Sequence, residues 1–293
     1  MTSRRNFWEM LNNRWSEGRF LGVGLDSELR RIIQIAEGDN GQVDVCNTMV
    51  GFNTKIIWET HDLAAVYLFN HNFYLAQGVP GFRAMEETVA RIHSIAPKVP
   101  IVLNTCEGDI GNSNLAFLEY ALRVLGVDGF TINPLFGQEA LQPFLDLRHK
   151  GIIVACRTSN YKADEFQCLP IQDHENVPFY KSVAHRVSMF WNEKRNCALQ
   201  FGVRCADSIR LVRQDVAPDL PIFVQGIGPQ SKTGEIEEDD VRGIVVASGN
   251  SEGTGFVLCS ARGIIFSPQP RQEATRLHHL IEKYRNELAM KAG

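Results

Sequence analysis

No uninterrupted apolar run approaches the roughly 18 residues that a membrane-spanning helix needs, so no membrane partner is expected. The opening MTSRRNFWEMLNNRW carries basic residues with no apolar stretch behind them, which argues against a secretory leader. No Cys-x-x-Cys pair occurs among the seven cysteines, at 46, 106, 156, 168, 197, 205 and 259. An odd count without such pairs speaks against a disulfide framework or a structural zinc site and for a reducing cytoplasm. Excess charge of one sign is also missing: 30 Lys+Arg against 34 Asp+Glu leave a net charge of −4. That excludes a globally basic nucleic-acid binder but leaves room for a local basic pocket. Only 24 Gly and 12 Pro occur in 293 residues, too few for a disordered or collagen-like chain. No linker, repeat array or low-complexity segment divides the chain, so 1–293 reads as one domain.

What is present is an alternation of short apolar runs with longer amphipathic stretches. Strands are expected at Phe20–Leu25, Ala64–Leu68, Ile101–Thr105, Gly129–Ile132, Gly151–Cys156, Ala198–Val203 and Pro221–Val224, with shorter ones at Gly243–Val246 and Gly255–Leu258. Helices are expected at Cys46–Thr60, Gly81–Ile95, Leu115–Leu125, Gln138–Leu147, Tyr180–Trp191, Asp207–Val216 and Glu273–Ala289. About eight strand–helix units in this length fit an α/β (β/α)8 TIM barrel. A doubly wound open sheet is the structural alternative, and periodicity does not separate the two. In a barrel the chemistry lies just after the strands. Asp26, Asn70, Cys106, Asp109, Ser159, Gln225 and Arg262 all fall there.

Six segments carry a resemblance. In order they are GVGLDS (22–27), GDIGNSN (108–114), TINPLFG (131–137), CRTSN (156–160), QGIGPQ (225–230) and SARGI (260–264). Together they resemble the orotidine 5'-phosphate decarboxylase family, in particular its longer bacterial subclass. The resemblance implies a (β/α)8 barrel acting as a homodimer on a pyrimidine nucleoside 5'-phosphate, with no cofactor and no metal ion. A guanidinium suits a phosphate dianion, and glycines allow backbone N–H groups to approach it. The resemblance accordingly gives the phosphate to Arg262 and Gly263 with the loop of Gln225, Gly226 and Gly228. The family has Pro where Gln225 stands and usually Ser where Ala261 stands. The polar stretch SKTGEIEEDD (231–240) is long enough to fold over a ligand, or to be a solvated loop. Asp26 is implied to accept hydrogen bonds from ribose hydroxyls, with Asn70 nearby, and Ser159 to meet the pyrimidine edge. The plainer alternatives are a helix N-cap for Asp26 and a turn residue for Ser159.

The chemical centre departs from the family. Two lysines and two aspartates of alternating charge do its chemistry, one lysine ending the second strand and the rest forming an Asp-x-Lys-x-x-Asp run. Here Leu68 takes the first lysine's place, and the run reads Asn104-Thr105-Cys106-Glu107-Gly108-Asp109. Of the four only Asp109 survives, and Lys55 on the preceding helix replaces none of them. Loss of C6 carboxylate leaves a carbanion that needs positive charge and a proton donor, so efficient decarboxylation is expected to be lost. Asn104 and Cys106, two apart on a strand, are expected to face the interior together, with Glu107 pointing away. A Cys106 thiolate there could add to electrophilic C6, with His71 as its base and Asp109 orienting a water or a base. The plainer reading makes Cys106 a small buried hydrophobe. In the family the aspartate at 109 reaches the partner subunit's site together with a threonine, here Ser113. Two functions follow: an enzyme with altered chemistry at C6, or a nucleotide-binding protein without catalysis. An authentic decarboxylase with rearranged charges is a third.

Overall fold

Segments rich in Val, Ile, Leu and Phe bury both faces, which suits parallel strands beneath a layer of helices. The computed structural model describes residues 5–35, 43–172, 176–228 and 236–292. Eight parallel strands close into a barrel. They are β1 (Leu21–Gly24), β2 (Ala64–Phe69), β3 (Ile101–Glu107), β4 (Gly129–Ile132), β5 (Gly151–Arg157), β6 (Cys197–Gly202), β7 (Ile222–Gln225) and β8 (Phe256–Ser260). Each pairs with its neighbours in sequence, and β8 returns to β1 with Leu258 opposite Leu21. The open-sheet alternative is thereby set aside.

Alternation along each strand divides the core in two. Val66, Leu68, Val102, Ile153, Ala198, Phe223 and Val257 fill the barrel's interior. Val23, Tyr67, Leu103, Phe130, Val154, Phe201 and Leu258 pack outward beneath the helices.

Two departures from expectation have plain causes. Gly243–Val246 is not a strand but part of the helix Glu238–Ser248. Val241, Ile244 and Val245 are its buried face, at helical spacing, and Glu238, Asp239 and Asp240 suit the positive end of its dipole. A short apolar run cannot distinguish these cases by itself. The other departure is a helix, Phe7–Ser16, to which the sequence pattern assigned nothing. Asn6 caps it by accepting hydrogen bonds from the backbone N–H groups of Trp8 and Glu9. Phe7 and Leu11 are fully buried and plug the base of the barrel. A side chain at Gly151, the first residue of β5, would overlap the Phe7 ring, and one at Gly129 would come within 3.3 Å of it.

The expected helices at Leu115–Leu125 and Tyr180–Trp191 are both present, and each ends in wider π turns, Tyr120–Leu125 and Val187–Trp191. In the long connection after β5, Pro170–Ile171 pairs antiparallel with Val177–Pro178.

Candidate functional site

A cavity of about 110 Å³ opens where the carboxyl ends of β1, β2, β3, β7 and β8 converge. Among the sequence candidates Asp26, Asn70, Asn104, Gln225, Gly226 and Arg262 line it. Residues from five separate strand ends are thus brought to one place, as a barrel requires.

Asp26 lies just beyond β1. Its carboxylate accepts no hydrogen bond among the described residues, so it does not cap the helix that follows. Burial pushes its carboxyl up to about 6, and Arg262 across the cavity opposes that rise. The neighbouring Ser27 is tied into the core instead: its hydroxyl donates to Asn53 Oδ1 at 2.5 Å, and Tyr74 OH donates to the Leu25 carbonyl at 3.0 Å. Arg262 follows β8 and is half-buried, with no hydrogen bond or ion pair among the described residues. Gly226 and Gly228 have φ of +96° and +98°, backbone that favours glycine. Gly228 lies against Gly263: a Cβ at Gly228 would sit 3.8 Å from the Gly263 Cα. Pro229, Gln230 and residues 231–235 of the expected covering stretch lie outside the described residues, as does His174.

Asn70 turns its Oδ1 back to accept from the Asn72 N–H at 3.2 Å. His71 does not line the cavity; its Nδ1 is buried without a partner among the described residues, and burial lowers its pKa, so the ring is neutral at pH 7. Ser159 packs against Gly202 at the end of β6, where a side chain at Gly202 would overlap it. Asp109 and Ser113 are exposed on the rim beyond β3. Asp109 Oδ1 accepts from the Ile110 N–H at 2.6 Å, and Asn114 Nδ2 donates to the Asp109 carbonyl at 2.8 Å.

Asn104 and Cys106 do not share a face as expected. Pairing with β4 slips between Leu103 and Glu107, and Cys106 takes φ of +50°. An irregularity of this kind breaks the alternation on which the expectation rested. Asn104 lines the cavity, whereas Cys106 is exposed and absent from its lining. Thr131 joins the two: its Oγ1 donates to Asn104 Oδ1 at 3.0 Å and accepts from the Cys106 N–H at 2.8 Å. Although the residue as a whole is exposed, desolvation of its sulfur raises the Cys106 thiol above its ordinary range. His71 makes no hydrogen bond to it. The cysteine that lines the cavity is Cys259, whose thiol burial pushes far up. Its signal in the sequence was its place at an inward position near the end of β8. Among the described residues no group of three His, Cys, Asp or Glu is placed to hold a metal ion, and no helix is long and apolar enough to cross a membrane.

The geometry has close counterparts. The profile of the orotidine 5'-phosphate decarboxylase / HUMPS family matches residues 52–277. An orotidine 5'-phosphate decarboxylase of Thermomicrobium roseum is 35% identical over 93% of this chain and 93% of its own. One of Herpetosiphon aurantiacus is 36% identical over 74% of this chain and 76% of its own. The solved OMP decarboxylase of Leishmania donovani superposes with a TM-score of 0.80 at 27% identity, covering 96% of this chain and 99% of that one. With fold, order of motifs and sequence in agreement, the chain belongs to the orotidine 5'-phosphate decarboxylase / HUMPS family.

Proposed function

We propose that this protein binds a pyrimidine nucleoside 5'-phosphate in the cavity at the top of the barrel and does not decarboxylate orotidylate at an ordinary enzymatic rate. One observation carries this reading: the only charged side chains lining the cavity, among the described residues, are Asp26 and Arg262. Arg262, with the backbone at Gly226, Gly228 and Gly263, is suited to a phosphate dianion. Asp26 and Asn70 are suited to ribose hydroxyls, and Ser159 to the pyrimidine edge. At the inner wall stand Leu68 and Asn104, neither of which supplies the cation that a C6 carbanion needs. The test is calorimetry with uridine 5'-phosphate and orotidine 5'-phosphate, with carbon dioxide followed in the second sample. Binding without release supports the reading. Rapid release makes the protein an authentic decarboxylase, and no binding of either nucleotide removes the phosphate and ribose assignments.

A second reading, addition of Cys106 to C6, is favoured by the exposure of this residue and its positive φ, two positions beyond Asn104. The thiolate pair would form the C6–S bond while the ring's C5=C6 pair moves towards the C4 carbonyl, and reversal would release the ring. Its raised thiol and lack of a base weigh towards binding without catalysis. Protection of Cys106 from alkylation by uridine 5'-phosphate, with raised reactivity in its absence, would favour the covalent route.

We also infer a cytoplasmic homodimer. Ile110, Leu135 and Phe136 expose apolar surface on the same rim as Asp109 and Ser113. That placement supports a partner subunit over the top of the barrel. Sedimentation of the wild type and of Ile110→Asp tests it: the expected result is a dimer for the first and a shift to monomer for the second.

A further inference from the structure

Two glutamines at the adjacent ends of β6 and β7, Gln225 in the cavity lining and Gln200 outside it, have amides with no hydrogen bond among the described residues. Gln200 lies on β6, two residues beyond the inward-facing Ala198, and so points into the barrel as well. It is 9% exposed, and its Oε1 is buried without a partner. Gln225 ends the adjacent strand β7, opposite Gly202, and lines the cavity with its Nε2 buried and unpartnered. Rotating either amide about its last torsion exchanges donor and acceptor, so each still offers one of both. Across the cavity Asn104 has its Oδ1 occupied by the Thr131 hydroxyl, which leaves its NH2 group for a ligand.

Buried polar atoms without partners are costly, and adjacent strands that both keep one imply a ligand that answers them. Among the described residues the floor carries no charge, and Arg262 is the one cation in the lining, standing after β8 with Asp26 facing it. A phosphate dianion there would take up that cation. A second anion on the ring would then lie beside Leu68 and Asn104 with no countercharge.

We propose that Gln200 and Gln225 form an amide floor that reads an uncharged planar base bearing both N–H and C=O groups, and that the same floor disfavours a base carrying a carboxylate. This rests on the nucleotide reading above and names the ligand class of that site: nucleotides whose only anionic group is the phosphate. Discrimination arises from buried amides left unpaired by the wrong ring and from an unneutralised charge.

Titration calorimetry with uridine 5'-phosphate, orotidine 5'-phosphate and ribose 5-phosphate tests it on the wild type, Gln200→Met and Gln225→Met. Methionine nearly keeps the volume and removes the amide. The wild type is expected to bind uridine 5'-phosphate at least about tenfold more tightly than orotidine 5'-phosphate. Each variant is expected to lose about tenfold for uridine 5'-phosphate, roughly the worth of one hydrogen bond, and Gln200→Met, away from the phosphate loop, is expected to keep ribose 5-phosphate unchanged. If ribose 5-phosphate and uridine 5'-phosphate bind both variants as they bind the wild type, the amide floor is refuted and the nucleotide reading stands. Equal or tighter wild-type binding of orotidine 5'-phosphate refutes it too. If the wild type binds neither uridine 5'-phosphate nor ribose 5-phosphate, the nucleotide reading fails and this proposal with it. Gln225, half-buried on the cavity wall, supplies the variant should Gln200→Met, deeper in, fail to fold; the wild-type preference needs no variant.

Discussion

The base and the top of the barrel treat buried polarity in opposite ways. At the base, Asp128 is fully buried and held by Arg5, whose Nη2 donates to Oδ2 at 2.7 Å and Nε to Oδ1 at 3.0 Å. The Ile101 N–H adds a third bond at 3.0 Å. Arg213 donates to the carbonyls of Ala217, Pro218, Leu220, Ser248 and Gly255, joining the starts of β7 and β8 to the end of a helix. Burial lowers its pKa to about 10, which leaves it a cation at neutral pH. Arg14 likewise donates to the carbonyls of His61, Asp62 and Ala64. Among the described residues the indole N–H groups of Trp8 and Trp15, and Arg19 Nε and His278 Nδ1 beside the start of β1, are left open there, but Asp128, Arg213 and Arg14 are matched. At the top, Gln200 and Gln225 keep open amides, and Asp26 is held where ionisation is unfavourable. The contrast teaches that the buried ions at one end of the barrel are answered by its own chain, whereas at the other an acid and two amides stand open, as the proposed ligand requires.

Breaking the base should cost the most. Arg5→Met leaves Asp128 buried with the Ile101 N–H and, as its remaining cation among the described residues, Lys150 at 3.9 Å; unfolding in urea should register a loss of about 3–5 kcal/mol. Nucleotide affinity of the folded fraction should not change. Next, Arg262→Ala should weaken uridine 5'-phosphate by about a hundredfold, near 2.7 kcal/mol, with the urea midpoint unmoved. Unequal movement of affinity and stability in these two variants is what the contrast demands. Gly151→Ala should lose about 2 kcal/mol in the same unfolding experiment, because the new methyl overlaps the Phe7 ring.

The smallest effect sharpens the contrast through pH. Asp26 is raised from about 4 in the unfolded chain to about 6 in the folded one. The folded protein therefore holds a proton that the unfolded chain releases between those values, and stability falls as pH rises through that window. Asp26→Asn should gain about 1–2 kcal/mol over the wild type at pH 8 and nothing at pH 4, read from paired urea curves. It should bind uridine 5'-phosphate less tightly. A variant that is more stable and binds less well is the mark of a residue kept for its ligand.

The eight strands were legible because each is a continuous apolar run, and parallel burial on both faces needs nothing more. The helix Phe7–Ser16 was not, since what makes it a helix is non-local: Phe7 finds the hollow left by Gly129 and Gly151. At the site, motif order placed Asp26, Asn70, Gln225 and Arg262 at strand ends, and all four line the one cavity there. It misplaced Cys106, because the slip in β3 and the positive φ follow from pairing with β4, which no local pattern states. Gln200 was legible in principle: a glutamine within the apolar run CALQFG, in phase with Ala198, is a polar group aimed inward.

The plug at the base has a consequence for how the chain is made. Phe7 and Leu11 leave the ribosome about 250 residues before Val257 and Cys259, yet they share the inner core with them. β1 too must wait for β8, as Leu21 lies opposite Leu258. Contacts of such sequence separation slow folding and leave apolar surface uncovered meanwhile. Nascent chains halted before β8 should thus be the species that chaperones hold longest.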